Sequence, residues 1–416
     1  MKTIGWLSVF VMIYGGLVSC VKTGQTIYQP VNSQEIRIGA MLPLTGTGSS
    51  AGAAAKASLE LAVEDITAYL QEAGTGETLV LEVADTQTDT MMALSRLKSL
   101  YQNGIRLVVG PYSSAELAHI KPFADSNGML IVSHSSVAVS LAIPNDNIYR
   151  FVSSDLVQGK AMSKLLADDK IKVIVAVVRN DLWGNDLVEA TGSFFAKAGG
   201  IVQEVIKYEP GTIDFTETLR SLDNEVAFAL VHHNPNEVAV YMLSFDEGTQ
   251  MLAAAKNYTS LNNVYWYGGS AFAQNAPLLN NTDATLFAYS HGLPCPVFGL
   301  DDEARYRWQP LVERIEQKIG RPPDVYAITA YDALWVMVRA ARAAGKKASI
   351  KCLKRVFTEE SNVYFGASGN TLLDENGDRA NGNYDFWAVK SDTAGYQWKR
   401  VARYNSATGS LIRLTK

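Results

Sequence analysis

IGAMLPLTGTGSSAGAAAKASLELAVEDI, residues 38 to 66, runs from an apolar strand through a glycine-rich turn into a helix. Two enzyme motifs can be read in its turn. Gly46-Thr47-Gly48-Ser49-Ser50-Ala51 fits a relaxed dinucleotide fingerprint, and Gly48-Ser49-Ser50-Ala51-Gly52 fits a hydrolase elbow. Both fit poorly in context. A dinucleotide fold runs its strand almost directly into the first glycine, whereas Pro43, Leu44 and Thr45 intervene here. Asp85, at the end of the next strand, stands where a ribose-binding acid would sit, but nicotinamide cofactors are not expected outside the cytoplasm. A nucleophile elbow turns sharply off its strand, and Ser50 lies well past Leu42. The five histidines (119, 134, 232, 233 and 291) fall in no recognisable acid–base arrangement. What remains is a polar, glycine-permissive loop at the C-terminal end of a strand, where open α/β sheets bind ligands. No catalytic residue and no cofactor are expected.

The rest of the chain repeats that rhythm. "LVLEVAD" (79–85), "RLVVG" (106–110), "MLIVS" (129–133) and "YRFVS" (149–153) read as strands, with a helix in "MMALSRLKSLYQNG" (91–104) and another beginning near Ser114. A second series has "KVIVAVV" (172–178), "IVQEVIKY" (201–208), "VAFALVH" (226–232) and "NVYWYGG" (263–269), with a helix after Gly184. Near-continuous β-branched runs alternating with amphipathic helices imply parallel sheets covered on both faces. The series restarts around residues 155–170, so the fold class is α/β, with two doubly wound lobes. Past residue 300 come helices at about 302–319 and 326–344. "NYDFWAVK" and "YQWKRVARYN" then predict an antiparallel hairpin.

The 416 residues are 47% hydrophobic and 19% charged, a globular composition. The formal charge of −5, with no Lys/Arg block, argues against a nucleic-acid partner. Residues 1–20 have Lys2 followed by an apolar run and read as a secretory signal. The end of that run, Leu17-Val18-Ser19-Cys20, resembles a bacterial lipobox, which would make Cys20 the lipidated mature N-terminus. An ordinary signal that happens to end near a cysteine is the plainer alternative. On the first reading residues 21–35 are a tether, and the protein is exported and held at a membrane. Export would also permit a disulfide between Cys295 and Cys352, which sequence alone does not decide. No metal-ligand spacing occurs.

The opening stretch, "VVGPYSSAELAHIKPFADSNGMLIVSHSS" (108–136), "RNDLWGNDL" (179–187) and "YAITAYDALWVM" (326–337) together resemble the type I periplasmic solute-binding proteins of ABC importers, in the branched-chain amino acid (Leu/Ile/Val-binding) family. The likeness covers nearly the whole mature chain in order. It implies a monomer of two lobes joined by three crossovers, with a small molecule in the cleft and an ABC permease as partner. Lobe one would be residues 36–155 and 291–378, and lobe two 156–290 and 379–416. The same fold would also serve a ligand-sensing or envelope-regulating lipoprotein.

The resemblance implies a site as well. Ser114 takes the place of a hydroxyl residue that holds a ligand carboxylate at a helix start. That position is an anion site by its own physics, although a serine there can simply cap the helix. Ser135 and Val137 align with a backbone carbonyl and a second hydroxyl position. The usual threonine is thus a valine, with Ser136 adjacent. Trp183 matches an aromatic that closes over the ligand, and Phe272 offers apolar lining. Ser270 stands where amino-acid binders place the acid that pairs with the ligand ammonium. A desolvated ammonium without a carboxylate is costly to bury, so the expected ligand is an acid or amide lacking one. His232, His233 and Asn234 are expected to end a lobe-two strand at the cleft, with one imidazole inward.

Overall fold

The computed structural model describes residues 35–414. The first unit comprises β1 (Glu35–Leu42), α1 (Ser49–Glu72), β2 (Thr78–Asp85), α2 (Thr90–Gln102), β3 (Leu107–Val109), α3 (Ser114–Ser126), β4 (Leu130–Ser133) and β5 (Ile148–Arg150). Its strands form a parallel sheet in the order β2-β1-β3-β4-β5. β1 lies inside that sheet and is buried from Ile38 to Leu42, which explains its unbroken apolar run. Ala55, Leu59, Ala62 and Ile66 turn one stripe of α1 toward the sheet, while Ala54, Ala57 and Leu61 turn another toward a later helix.

The second unit holds α4 (Asp155–Asp168), β6 (Val173–Arg179), α5 (Leu182–Lys197), β7 (Ile201–Tyr208), α6 (Thr216–His232), β8 (Val238–Leu243), α7 (Gly248–Ala255), β9 (Tyr265–Gly268), α8 (Ala276–Leu279), α9 (Thr282–His291) and β10 (Cys295–Gly299). Its parallel sheet has the order β7-β6-β8-β9. The remainder is α10 (Arg305–Ile319), α11 (Val325–Ala344), α12 (Ile350–Val363), the small pair β11 (Phe365–Gly366) and β12 (Gly369–Asn370), then β13 (Asn383–Asp392), β14 (Gly395–Asn405) and β15 (Ser410–Arg413). α10 and α11 pack on α1 of lobe one. β13 and β14 are antiparallel, and Phe386, Val389 and Ala402 join the lobe-two core. β10, placed by the sequence with lobe one, pairs with β13 and buries Val297 and Phe298 in that same core.

Two sequence readings need correction. The segment 226–232 is not a strand but the last two turns of α6. Leu219, Leu222, Val226 and Ala229 are buried at helical spacing while Phe228 and Val231 are exposed. The strand in that position is β8, six residues on. His232 and His233 therefore lie at an exposed helix end, not at a strand end facing the cleft. The pairing of Cys295, which the sequence leaves open, is settled here: it is a buried free thiol, not bridged to Cys352.

The chain crosses between lobes after β5, after β10 and between Asp378 and Asn383. Two buried arginines fasten the first crossover to the third. Arg150 donates from Nε and Nη2 to the Asp378 carboxylate and from Nη1 to the Ala138 carbonyl at 2.6 Å. Arg379 donates from Nη1 to the Phe151 carbonyl at 3.3 Å and to Ser368 Oγ at 2.8 Å.

Candidate functional site in the interlobe cleft

The lobe-one wall is built by serines that lace two strand-end loops together. Ser113, not Ser114, caps α3: its hydroxyl accepts from the Glu116 amide at 3.2 Å, and Glu116 returns a bond to the Ser113 amide at 3.0 Å. That leaves the Ser114 hydroxyl to accept from the amides of Val137 and Ala138 at 3.3 and 3.2 Å, and to bond Ser136 Oγ at 2.9 Å. Ser135 donates to the Tyr112 carbonyl at 2.8 Å, and Ser133 to that of Pro111 at 2.8 Å. The start of α3 is thereby held against the end of β4, with Tyr112 beside it.

The lobe-two wall is aromatic and rests on a buried charge network. Arg179 pairs with Asp181 at 2.7 Å and Glu247 at 2.9 Å, and its guanidinium lies 4.6 Å from the Phe245 ring centre. Glu247 Oε1 also accepts from Tyr208 at 2.8 Å and from the Phe245 amide at 3.2 Å. Asp181 caps α5 through the Gly184 amide at 2.9 Å, which sets Trp183 in the first turn. A Cβ on Gly184 would come within 2.2 Å of the Arg179 carbonyl, so glycine is required for this approach. Trp183 and Phe245 pack with ring centres 5.2 Å apart, and Phe245 meets Tyr112 of the other lobe at 5.8 Å.

Between the walls is a cavity of only about 20 Å³. That is room for about one water, so the lobes are apposed and a solute enters by their separation. Ser114, Ser135, Val137, Trp183 and Ser270 line it together. Ser136 is buried behind Ser114. Phe272 is not in the lining: it points into the lobe-two core, beside Ser244 and Gly248. Tyr112, Ser113, Phe245, Ala271 and Tyr326 also line the cavity and were not singled out from the sequence. Tyr112 and Tyr326 lie inside the quoted motifs, each within two residues of a helix cap. Phe245 follows β8, the strand misplaced onto residues 226–232.

The charge in this lining is the informative property. All ten lining residues are aromatic, hydroxyl-bearing or aliphatic, with no acid or base among them. Burial pushes the phenols of Tyr112 and Tyr326 up, so both stay protonated as hydrogen-bond donors. Tyr326 lies beside Ser270 of the other lobe.

The loop of residues 43–48 has a different occupation from either enzyme motif. Asp85 accepts from the amides of Leu44 at 2.9 Å, Thr45 at 3.2 Å and Gln87 at 3.0 Å, and from Thr45 Oγ1 at 2.6 Å. Burial opposes its charge, but these bonds hold its carboxyl below the usual range. It organises the loop. The loop in turn presents the Gly48 amide to Asp246 of lobe two at 3.0 Å, while Asn275 donates to the other Asp246 oxygen at 2.6 Å. A second contact between the lobes runs from the Ser140 amide to Asp186 at 2.8 Å. Asp246→Ala should therefore loosen closure without disturbing either wall. We expect a ligand off-rate raised about fivefold to tenfold, read by stopped-flow fluorescence; an unchanged off-rate would remove this contact from the closing interaction.

Two lobes, three crossovers and a cleft lined from both sides define a type I periplasmic binding protein fold. The receptor family ligand binding region matches residues 54–392, and the chain belongs to that family. It is 28% identical over 423 residues to an uncharacterized protein of Methanocaldococcus jannaschii, spanning 96% of this chain and 98% of that one. It is 27% identical over 277 residues to a Leu/Ile/Val-binding protein homolog of Brucella melitensis, spanning 65% and 74%. Among solved structures, a leucine-binding protein from Thermotoga maritima aligns with TM-score 0.72 at 20% identity, over 91% of this chain and 99% of that one. An ABC-transporter solute-binding protein from Rhodopseudomonas palustris, in complex with 3,4-dihydroxybenzoic acid, aligns with TM-score 0.70 at 16% identity, over 89% and 98%.

Proposed function

We propose that this protein is the exported solute receptor of an ABC importer, closing around a small organic acid or amide that carries no ammonium group. The observation that carries the ligand class is the uncharged lining, with Ser270 in place of an acid. A carboxylate is served by the first-turn amides of α3 and by the protonated tyrosines. An α-ammonium would be desolvated there without a counter-charge. Four rings, of Tyr112, Trp183, Phe245 and Tyr326, favour a flat or aromatic body. The solute-binding relatives and ABC-transporter neighbours support the transport role; the neighbours hold leucine and isoleucine as well as a benzoate, so the acid rests on the lining alone. Native mass spectrometry of the purified protein should find an organic acid retained; retention of leucine, isoleucine or valine would refute the assignment.

Cys20, as the lipidated N-terminus, would hold the receptor at the membrane beside its permease. That residue lies outside the described residues, among which no helix is long and apolar enough to cross a membrane. Cys20→Ala should move the protein from the membrane fraction to the soluble one, or leave it unprocessed. Identical fractionation of wild type and variant as soluble protein would exclude the anchor.

A further inference from the structure

A second cavity, of about 750 Å³, shares no lining residue with the first and lies between α10 and α11 of lobe one and the β13–β14 hairpin. Its size is within the range of small-molecule sites, about 300–1,000 Å³, and far exceeds what is left in the cleft. Trp308 stands on the lobe-one wall, Trp387 and Trp398 on the hairpin wall. Two of these indoles are fixed before any ligand arrives: Trp308 Nε1 donates to the Asp301 carbonyl at 2.8 Å, and Trp398 Nε1 to the Asn275 carbonyl at 2.9 Å. With those N–H groups spent, the two rings contribute stacking surface rather than polar recognition.

Four acids and three arginines line it, so its charge is nearly balanced, and part of that balance is in direct pairs. Arg400 Nη1 donates to Asp302 at 3.0 Å and Asp385 at 3.2 Å, and Arg305 lies 4.0 Å from Asp302 while its guanidinium covers Trp308. An ionic ligand would have to separate such a pair and leave one partner uncompensated. A purely apolar ligand would cover the pairs and leave their remaining lone pairs and N–H groups without partners. The chemistry that fits both halves is a neutral molecule with an apolar face and a rim of hydroxyls, each able to donate to Asp and accept from Arg. We infer that this cavity is a second ligand site, for a saccharide of one or two rings. Ring C–H faces stack on the tryptophans, and ring hydroxyls bridge the Arg–Asp pairs.

Because both lobes line the cavity, its occupant touches both only while they are apposed. The two sites share one helix start: Asp324, which caps α11, borders the outer cavity, and Tyr326 borders the cleft.

The test is titration of the whole protein with glucose, maltose and cellobiose, followed by tryptophan emission and calorimetry, with benzoate as a comparison. At least one sugar should saturate at about 1 mM or below. Trp308→Ala should weaken it about tenfold or more, and Trp308→Phe should retain binding within about threefold. Circular dichroism establishes that each variant is folded. The inference is overturned if no sugar saturates, or if Trp308→Ala binds sugar as tightly as wild type. Neither outcome depends on which acid the cleft takes.

Discussion

Arg150→Met should cost about 3–5 kcal/mol of stability, the largest loss expected of any single polar substitution in this fold. Arg150 and Asp378 are 1% and 2% exposed, and the pair joins the first crossover to the third. Burial raises the Asp378 carboxyl even with Arg150 beside it. Once the guanidinium is gone, that carboxylate has lost its counter-charge and the Ala138 carbonyl has lost a donor. The variant should then recover part of its stability as pH falls: a raised carboxyl pKa means the folded state binds the proton more tightly, so acidification favours folding. Arg150→Met combined with Asp378→Leu should regain most of the loss, since removing both charges leaves no orphan. Urea unfolding of the two variants near pH 7 and pH 5 checks each step. A single variant as stable as wild type would mean that the crossovers are held by something else.

The second large effect concerns Trp183, which is 3% exposed and packs on Phe245 and Gly269. Truncation to alanine removes a buried aromatic and should cost about 3–5 kcal/mol of stability. For ligand binding the consequence is asymmetric. On the proposed reading lobe one meets the solute first and keeps its serines and Tyr112, and lobe two adds cover on closure. Trp183→Ala should therefore raise the off-rate about tenfold or more while changing the on-rate little. Ser114→Ala acts on the other wall. It leaves the Val137 and Ala138 amides without their acceptor, so affinity should fall about tenfold through a displaced loop. Stopped-flow binding of benzoate separates the two. An unchanged off-rate in Trp183→Ala, together with unchanged affinity in Ser114→Ala, would place the site elsewhere.

Much of this architecture can be read from residues alone. β1 and α1 announce themselves because an apolar run of strand length meets a glycine turn and then a helical stripe from Leu59 to Leu70. The closing hairpin reads for a similar reason, two aromatic-rich runs around a short turn. The misreading of 226–232 has a physical origin: a short run of valine, alanine and phenylalanine satisfies strand and helix alike. Only the longer window that includes Leu219 and Leu222 shows the helical period. β10 escaped notice because Pro296 interrupts it, which an edge strand tolerates.

At the site, Ser114, Ser135 and Val137 came from the family resemblance, while Tyr112 and Tyr326 escaped notice although each stands within two residues of a helix cap. Contacts between lobes were not. Gly48 and Asp246 are 198 residues apart, and no local pattern announces a bond between a backbone amide and a distant carboxylate. The direction of Phe272 was equally hidden, since a 3₁₀ turn at Ser270–Phe272 sends neighbouring side chains to different places.

The central claim is that this cleft accepts an organic acid and declines an α-amino acid because Ser270 supplies no counter-charge. Isothermal titration of ligand-stripped protein with benzoate and with leucine, under identical conditions, tests it most directly. The prediction is saturable binding of benzoate and no measurable heat from leucine at about 1 mM. Tight binding of leucine, with benzoate inert, would contradict it.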